Sequence, residues 1–142
     1  VGMFDTEVEA QGKVFVTTEL GGAGTATANS IAIARRGIRN LLIHAGILRG
    51  VIDQQDSVQL DMPDDRCFVF CEVSGLIEYL VEIGDAVEEN QPIAQIWPAD
   101  RSGVTPTQCF ATKQGVLTAR HVPGLIKVGD FVGLVATRVQ TA

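Results

Sequence analysis

Glu19 is the carboxylate in this sequence that is best placed to do chemistry. It follows residues 13–18 (KVFVTT), a β-branched and aromatic run that predicts a strand, and it precedes the glycine-rich loop 21–24. A carboxylate at the carboxyl end of a strand in an α/β sheet faces the crevice where such sheets bind ligands. There it could transfer a proton in a reaction. A solvent-exposed glutamate at a strand end is the alternative that the residues leave open.

The glycine-rich loop 21–24 (GGAG) is a second candidate, because backbone N–H groups that open a helix suit phosphate groups. The loop does not match GxGxxG, however, and no GK[ST] follows it. A loop that bends sharply past an occupied site is therefore favoured over nucleotide binding.

The cysteines and histidines do not predict a metal centre. Cys67 and Cys71 fall in a predicted strand, about 13 Å apart along it, which is too far to share a metal. With Cys109 they make an odd number without a CxxC pair, so we expect buried thiols in a reduced, cytoplasmic setting. Neither histidine stands in an HxxE or HxxxH context. We predict that His44 favours a helix C-terminus and that His121 is exposed or structurally hydrogen-bonded.

A strand, a loop and a helix must position the candidate carboxylate. Residues 30–46 carry apolar side chains at helical spacing, with Thr27 or Asn29 as N-cap and Gly46 as the stop. One strand and one helix cannot bury both faces of an α/β layer. Residues 1–52 are therefore expected to be the last unit of a larger sheet domain whose earlier strands lie upstream.

An all-β unit is predicted over residues 53–142, so the fold class is α+β and mostly β. From residue 67 onward, short apolar runs alternate with Gly, Pro and Asp. A weak internal repeat starts at Gly75 and again at Gly115, each copy leading to a Gly-Asp turn. The repeat resembles the barrel-sandwich hybrid of biotinyl and lipoyl carrier domains.

The carrier resemblance leads to the rival hypothesis, a non-enzymatic β module for carrier duty or protein interaction. Carriers attach their cofactor to a lysine on the tight turn between the two halves. The corresponding residues 97–106 (WPADRSGVTP) contain no lysine, and Lys113 and Lys127 fall outside that turn. The carrier hypothesis therefore rests on fold analogy alone.

The charge and the hydropathy of the sequence limit the classes of molecule that this protein is expected to bind. The formal net charge is −6, and no Lys/Arg cluster exceeds Arg35-Arg36, which argues against nucleic acid and acidic membrane surfaces. No apolar run reaches the roughly 20 residues of a membrane span, and the N-terminus does not have the pattern of a signal peptide. The first residue is Val1 rather than Met, as we expect of a fragment. A small-molecule partner fits best.

Two segments resemble a known family. Residues 15–50 (FVTTELGGAGTATANSIAIARRGIRNLLIHAGILRG) look like the closing strand, catalytic-glutamate loop and final helix of the succinylglutamate desuccinylase/aspartoacylase family, relatives of zinc carboxypeptidases. Residues 74–96 (SGLIEYLVEIGDAVEENQPIAQI) look like that family's C-terminal domain. The branch that deacetylates Nα-acetyl-2,4-diaminobutyrate is the most similar. The resemblance implies the C-terminal portion of such an enzyme.

The resemblance also implies a mechanism, zinc-dependent hydrolysis of an N-acyl amino acid, in which Glu19 takes a proton from zinc-bound water and delivers it to the leaving amine. The family's zinc ligands and substrate-binding arginines lie upstream of the matching segments. We therefore expect no metal ligands here, zinc only in the complete parent enzyme, and no activity from this chain alone. A homo-oligomer through exposed apolar surface is the expected protein partner. The arginines at positions 35, 36, 39 and 49 are predicted to form a solvated helix face.

Overall fold

A computed structural model describes residues 2–139 and divides the chain into two compact units, Val1–Gln55 and Asp56–Ala142. The sequence predicts a boundary between residues 52 and 53. The assignment of the two parts to a catalytic remnant and a C-terminal domain stays a prediction. Among residues 2–139, no helix combines the length and the apolar character needed to cross a membrane.

The first unit contains two helices, α1 (Phe4–Ala10) and α2 (Ala28–His44). A capping box opens α2, because the Thr27 hydroxyl accepts from the Ser30 N–H at 3.1 Å and the Ser30 hydroxyl accepts from the Thr27 N–H at 2.9 Å. Gly46, at φ +71°, follows its end in the left-handed region. The predicted helix and both of its boundary signals are confirmed, whereas α1 was not predicted.

The strand predicted over residues 13–18 is wrong for this structure. The segment has no strand pairing among the described residues, and the Val14 and Val16 side chains are 91% and 66% exposed. A strand requires a neighbouring backbone to exchange ladder hydrogen bonds, and the described part of the first unit contains no other strand. Glu19 therefore follows an irregular segment rather than the end of a strand.

The end of the first unit is tied back to α2 by one asparagine. The Asn40 side-chain amide donates to the Asp53 carbonyl at 2.7 Å, and the Asp53 N–H donates to the Asn40 side-chain oxygen at 2.9 Å. This pair of hydrogen bonds spans 13 positions and holds the chain close to the helix as it leaves the first unit.

The second unit is built from antiparallel strands. Its described part contains β1 (Leu60–Asp61), β2 (Phe68–Phe70), β3 (Gly75–Tyr79), β4 (Ala86–Val87), β5 (Pro92–Trp97), β6 (Thr107–Phe110), β7 (Gly115–Arg120), β8 (Leu125–Ile126) and β9 (Phe131–Arg138), with a 3-10 helix (Asp65–Cys67) before β2. One sheet has the order β1-β9-β7-β4, with β2 also paired to β9, and the other has the order β6-β5-β3-β8. Each apolar run predicted from residue 67 onward contains one of the strands β2 to β9, so the β prediction is confirmed.

Both sheets contribute to one hydrophobic core. Its fully buried members include Val87, Leu117 and Val132 from the first sheet and Ile93 and Ile126 from the second. All three cysteines are buried and free, as predicted from their composition and spacing. The core therefore depends on both sheets being present together.

The internal repeat seen in the sequence corresponds to two turns with matching hydrogen bonds. In the turn at residues 84–85, the glycine N–H donates to the Leu117 carbonyl at 2.8 Å and the aspartate carbonyl accepts from the Leu117 N–H at 3.0 Å. The turn at residues 129–130 makes the same pair of bonds to Cys71, at 2.9 and 3.0 Å. Both glycines have positive φ, at +99° and +83°. The barrel-sandwich hybrid itself remains a prediction.

Candidate functional site

Glu19, the predicted catalytic carboxylate, lies on an exposed irregular segment of the first unit. Among residues 2–139, no hydrogen bond or ion pair to its carboxylate is found. Its oxygens are thus open to solvent or to a ligand, as a proton-transfer group requires. The role of Glu19 in catalysis stays a prediction.

The loop after Glu19 is glycine-rich because its backbone enters the left-handed region repeatedly. Gly21, Ala23 and Gly24 have φ values of +79°, +57° and +68°. The Thr25 N–H and hydroxyl both donate to the Gly22 carbonyl, at 3.0 and 2.7 Å, and close the turn. The loop therefore bends sharply, as predicted, while the preference over phosphate binding stays a prediction.

A zinc site does not fit the described residues. No group of three or more His, Cys, Asp or Glu side chains that could hold a metal ion is present in residues 2–139. The His121 Nε2 atom lies 3.1 Å from the Leu125 carbonyl, which confirms the predicted structural hydrogen bond. His44 lies in the last turn of α2, where its predicted interaction with the helix end remains untested. No reaction step is therefore derived through a metal on these residues.

The arginines predicted to form a solvated face are exposed at positions 35, 39 and 49 and half-buried at position 36. In the part of the chain that the structure describes, no ion pair joins any of them to an acidic side chain. The solvated face predicted for them is therefore found at three of the four positions.

Tyr79 has a structural role that the sequence did not reveal. Its hydroxyl lies 2.8 Å from the Val132 carbonyl and 3.0 Å from the His121 carbonyl, so it links β3 to the opposite sheet. The Arg120 guanidinium lies 5.0 Å from the ring centroid and pairs with Glu82 at 3.1 Å. Burial raises the pKa of Tyr79 to about 12, while the bond to His121 and the charge of Arg120 oppose the rise.

Glu78 is a charged group on the exposed surface of the second sheet. One of its oxygens accepts from the Gln95 side-chain amide at 2.7 Å and from the Trp97 indole at 2.6 Å. These bonds lower the pKa of Glu78 and favour the carboxylate. Alternation along the strands could have placed Glu78 and Trp97 on one face, but the register between β3 and β5 was needed to bring them together.

No family model matches the chain. In sequence, it is 46% identical over 141 residues to the N-alpha-acetyl-L-2,4-diaminobutyric acid deacetylase of Halomonas elongata, covering 98% of this chain and 41% of that protein. The chain thus spans about two fifths of the length of that curated relative.

The solved structures that this chain is similar to include the following two. The product-bound ectoine utilization protein EutE (DoeB) of Ruegeria pomeroyi has a TM-score of 0.90 at 51% identity, covering 96% of this chain and 42% of that one. A succinylglutamate desuccinylase from Silicibacter sp. has a TM-score of 0.90 at 48% identity, covering 97% of this chain and 42% of that one. The comparisons give no support to the carrier hypothesis. By its sequence and structural relatives, the chain belongs to the succinylglutamate desuccinylase/aspartoacylase family.

Proposed function

We propose that this chain is the C-terminal part of a zinc-dependent deacylase that hydrolyses the amide bond of an N-acyl amino acid, and that Glu19 transfers the proton. The observation that carries the proposal is the 46% identity, over 98% of the chain, to a protein named as an Nα-acetyl-2,4-diaminobutyrate deacetylase. The same compound is therefore the first substrate to test.

The chemistry assigned to Glu19 is general base and then general acid catalysis. A carboxylate within hydrogen-bond reach of the attacking water accepts its proton, and the acid so formed protonates the departing amine. The exposed position of Glu19 and the turn that follows it are consistent with a carboxylate presented to a substrate.

The zinc ligands are proposed to lie outside this chain, because the described residues contain no suitable cluster. The exposed apolar side chains of the first unit support the view that a larger domain covers them. Val14, Val16, Ile38 and Ile47 are 91%, 66%, 62% and 74% exposed. We therefore expect this chain alone to hydrolyse no substrate.

A chimera tests the proposal. The homologous segment of the Halomonas elongata enzyme is replaced by these residues, and deacetylation of Nα-acetyl-2,4-diaminobutyrate is followed by acetate release. We expect an active chimera, and Glu19→Gln should lower kcat by about 100-fold or more because the amide side chain cannot accept the proton. Glu9→Gln, at an exposed position on α1, is the matched control and should stay within about twofold of the parent chimera.

Either part of the proposal can fail separately. A Glu19→Gln chimera that keeps more than a tenth of the activity overturns the role of Glu19. A soluble, folded chimera that releases neither acetate from this substrate nor the corresponding carboxylate from other N-acyl amino acids overturns the deacylase assignment.

A further inference from the structure

One lysine of the second unit points into the protein toward a buried thiol. The Lys113 side chain is 13% exposed, and its Nζ atom lies 3.8 Å from the Sγ atom of Cys67, which is fully buried. Lysine is rarely buried unless its charge is paired. This pair therefore brings a lysine side chain, charge-paired with Asp64, next to a cysteine sulfur atom.

The surroundings hold the two groups in place. Asp64 lies 3.5 Å from the lysine Nζ, and its half-exposed carboxylate connects the amine to solvent. The Arg66 guanidinium donates to the Thr112 carbonyl at 3.0 Å, and the Thr112 hydroxyl donates back to the Arg66 carbonyl. These bonds join the segment around residue 66 to the turn that carries Lys113, so the lysine Nζ atom and the cysteine Sγ atom are held close to each other.

The other cysteines have different environments. The Cys71 thiol donates to the Lys127 carbonyl at 2.7 Å, so it faces a backbone acceptor. Cys109 lies in the core, where burial raises the pKa of its thiol. Among residues 2–139, Cys67 is the thiol for which a lysine amine within 4 Å is found.

We propose that Cys67 and Lys113 form a modification site, at which oxidation by hydrogen peroxide links the lysine Nζ atom to the cysteine Sγ atom. The product is a sulfenamide, the type of product that a sulfenic acid forms with nitrogen. The proposal is independent of the deacylase assignment, because it uses groups of the second unit only.

The reaction has two balanced steps. Hydrogen peroxide oxidises the Cys67 thiol by two electrons. The O–O bond of the peroxide and the S–H bond break, an S–O bond forms, and the thiol hydrogen leaves with the other peroxide oxygen as water. The Lys113 amine, after losing a proton through Asp64 to solvent, attacks the sulfur; the N–S bond forms, the S–O bond breaks, and the hydroxyl leaves as a second water with a proton from nitrogen. In total, the ammonium, the thiol and one peroxide give the linked pair, two waters and one released proton.

The link closes a loop between positions 46 apart in the sequence and fastens the 3-10 helix before β2 to the turn between β6 and β7. Cross-linking across such a loop restricts the unfolded chain more than the folded one. The oxidised protein should therefore melt higher than the reduced protein, by about 5 °C or more. A reducing thiol should reverse the shift.

Mass spectrometry of the full chain tests the link. The folded protein is treated with hydrogen peroxide, digested with trypsin without reductant, and compared with an untreated sample. Trypsin cleaves after Arg66, Arg101 and Arg120 but not after a modified lysine. We expect residues 67–101 joined to residues 102–120, uncut at Lys113 and about 2 Da lighter than the sum of the two peptides.

The uncut lysine separates this link from a disulfide between Cys71 and Cys109, which also removes two hydrogens but leaves Lys113 cleavable. Cys67→Ser and Lys113→Arg should each abolish the uncut joined peptide, whereas Lys127→Arg, at an exposed lysine, should keep it. The natural chain alone can overturn the proposal: after peroxide treatment, Lys113 stays cleavable while Cys67 is either unchanged or carries only added oxygen.

Discussion

The two units of this chain differ in whether their apolar residues form a core. All the buried hydrophobic side chains found in residues 2–139 lie between positions 67 and 136, in the β unit, whereas Ser30 is the buried residue of the first unit. Both units also expose large apolar side chains, but those of the first unit, on α2 and on both flanking segments, lie beside no buried hydrophobic residue of that unit in residues 2–139. The β unit thus has its own core, while the first unit has apolar surface that requires a partner.

The difference follows from what each element can cover. The sheets of the β unit face one another and bury their inner faces together. The described part of the first unit contains no strand, so its 17-residue helix α2 has no sheet of the same unit to cover its apolar stripe. The capping residues and the helical spacing of apolar residues are enough to define α2. Burial of its apolar face requires a second layer of secondary structure packed against it.

The largest difference between the units should appear in the cooperativity of unfolding when each unit is prepared alone. Residues 56–142 alone should unfold in a cooperative urea transition followed by circular dichroism, with a stability of about 5 kcal/mol or more. Residues 1–55 alone should lose signal gradually, because an isolated helix without a packed face is marginal in water. A sharp, cooperative transition in the shorter piece would show that it has a core of its own and would remove the contrast between the units.

The second largest effect should come from adding one methyl group to a glycine, which should lower the stability of the chain in the β unit but not in the first unit. A Cβ atom on Gly75 would collide with the Trp97 carbonyl oxygen across the β3–β5 pair, so Gly75→Ala should destabilise the chain by about 3 kcal/mol or more. Gly37→Ala, on α2, is the matched control, because nothing lies within 4 Å of its added Cβ. Thermal melts of the full chain should show a large fall in the melting temperature for Gly75→Ala and a change below about 2 °C for Gly37→Ala. Equal shifts would mean that the β3–β5 pair accommodates the added methyl group and would contradict the predicted clash at Gly75.

A smaller effect should come from ionising Tyr79 in the β unit. Its folded pKa of about 12 lies above the unfolded value of 10.0, so the neutral phenol favours the folded state. The stability it contributes is fully present below pH 10 and is lost as the pH rises toward 12. Because the ring is only partly buried, we expect a loss of about 1 to 2 kcal/mol.

The Tyr79→Phe variant isolates that contribution. It should be less stable than the natural chain at pH 9, since the one phenol hydrogen shared between two nearby carbonyl oxygens is lost, and the difference should shrink toward pH 12. Urea midpoints of both proteins at several pH values measure the change, and lysine titration cancels in the comparison. A difference that does not vary between pH 9 and pH 12 would contradict the role assigned to the phenol.

The strands of the β unit were predictable because each apolar run is bounded by Gly, Pro or Asp and fits the period of a strand. The Gly-Asp turns at residues 84–85 and 129–130 were predictable for the same reason. The failure over residues 13–18 has a physical cause. Valine and phenylalanine favour extended backbone, but a strand exists only where another strand accepts its hydrogen bonds.

For the candidate site, residue type and family resemblance singled out Glu19, and geometry could not have done so, since the carboxylate is exposed and makes no contact in residues 2–139 that marks it. The proximity of Lys113 and Cys67 could not be predicted, because the two lie 46 positions apart and their spacing matches no motif. Tyr79 was equally hidden, since its partners are backbone carbonyls of distant strands.

Several features follow from neighbours along the chain: the capped helix α2, the turns where glycine permits positive φ, the short strands and the family resemblance. Contacts between distant segments set the others, namely which residues meet across the sheets, which face of each element is buried, and that residues 13–18 find no strand partner. The physical reason is that propensity and capping act over a few residues, whereas ladder pairing and burial require surfaces that distant segments supply.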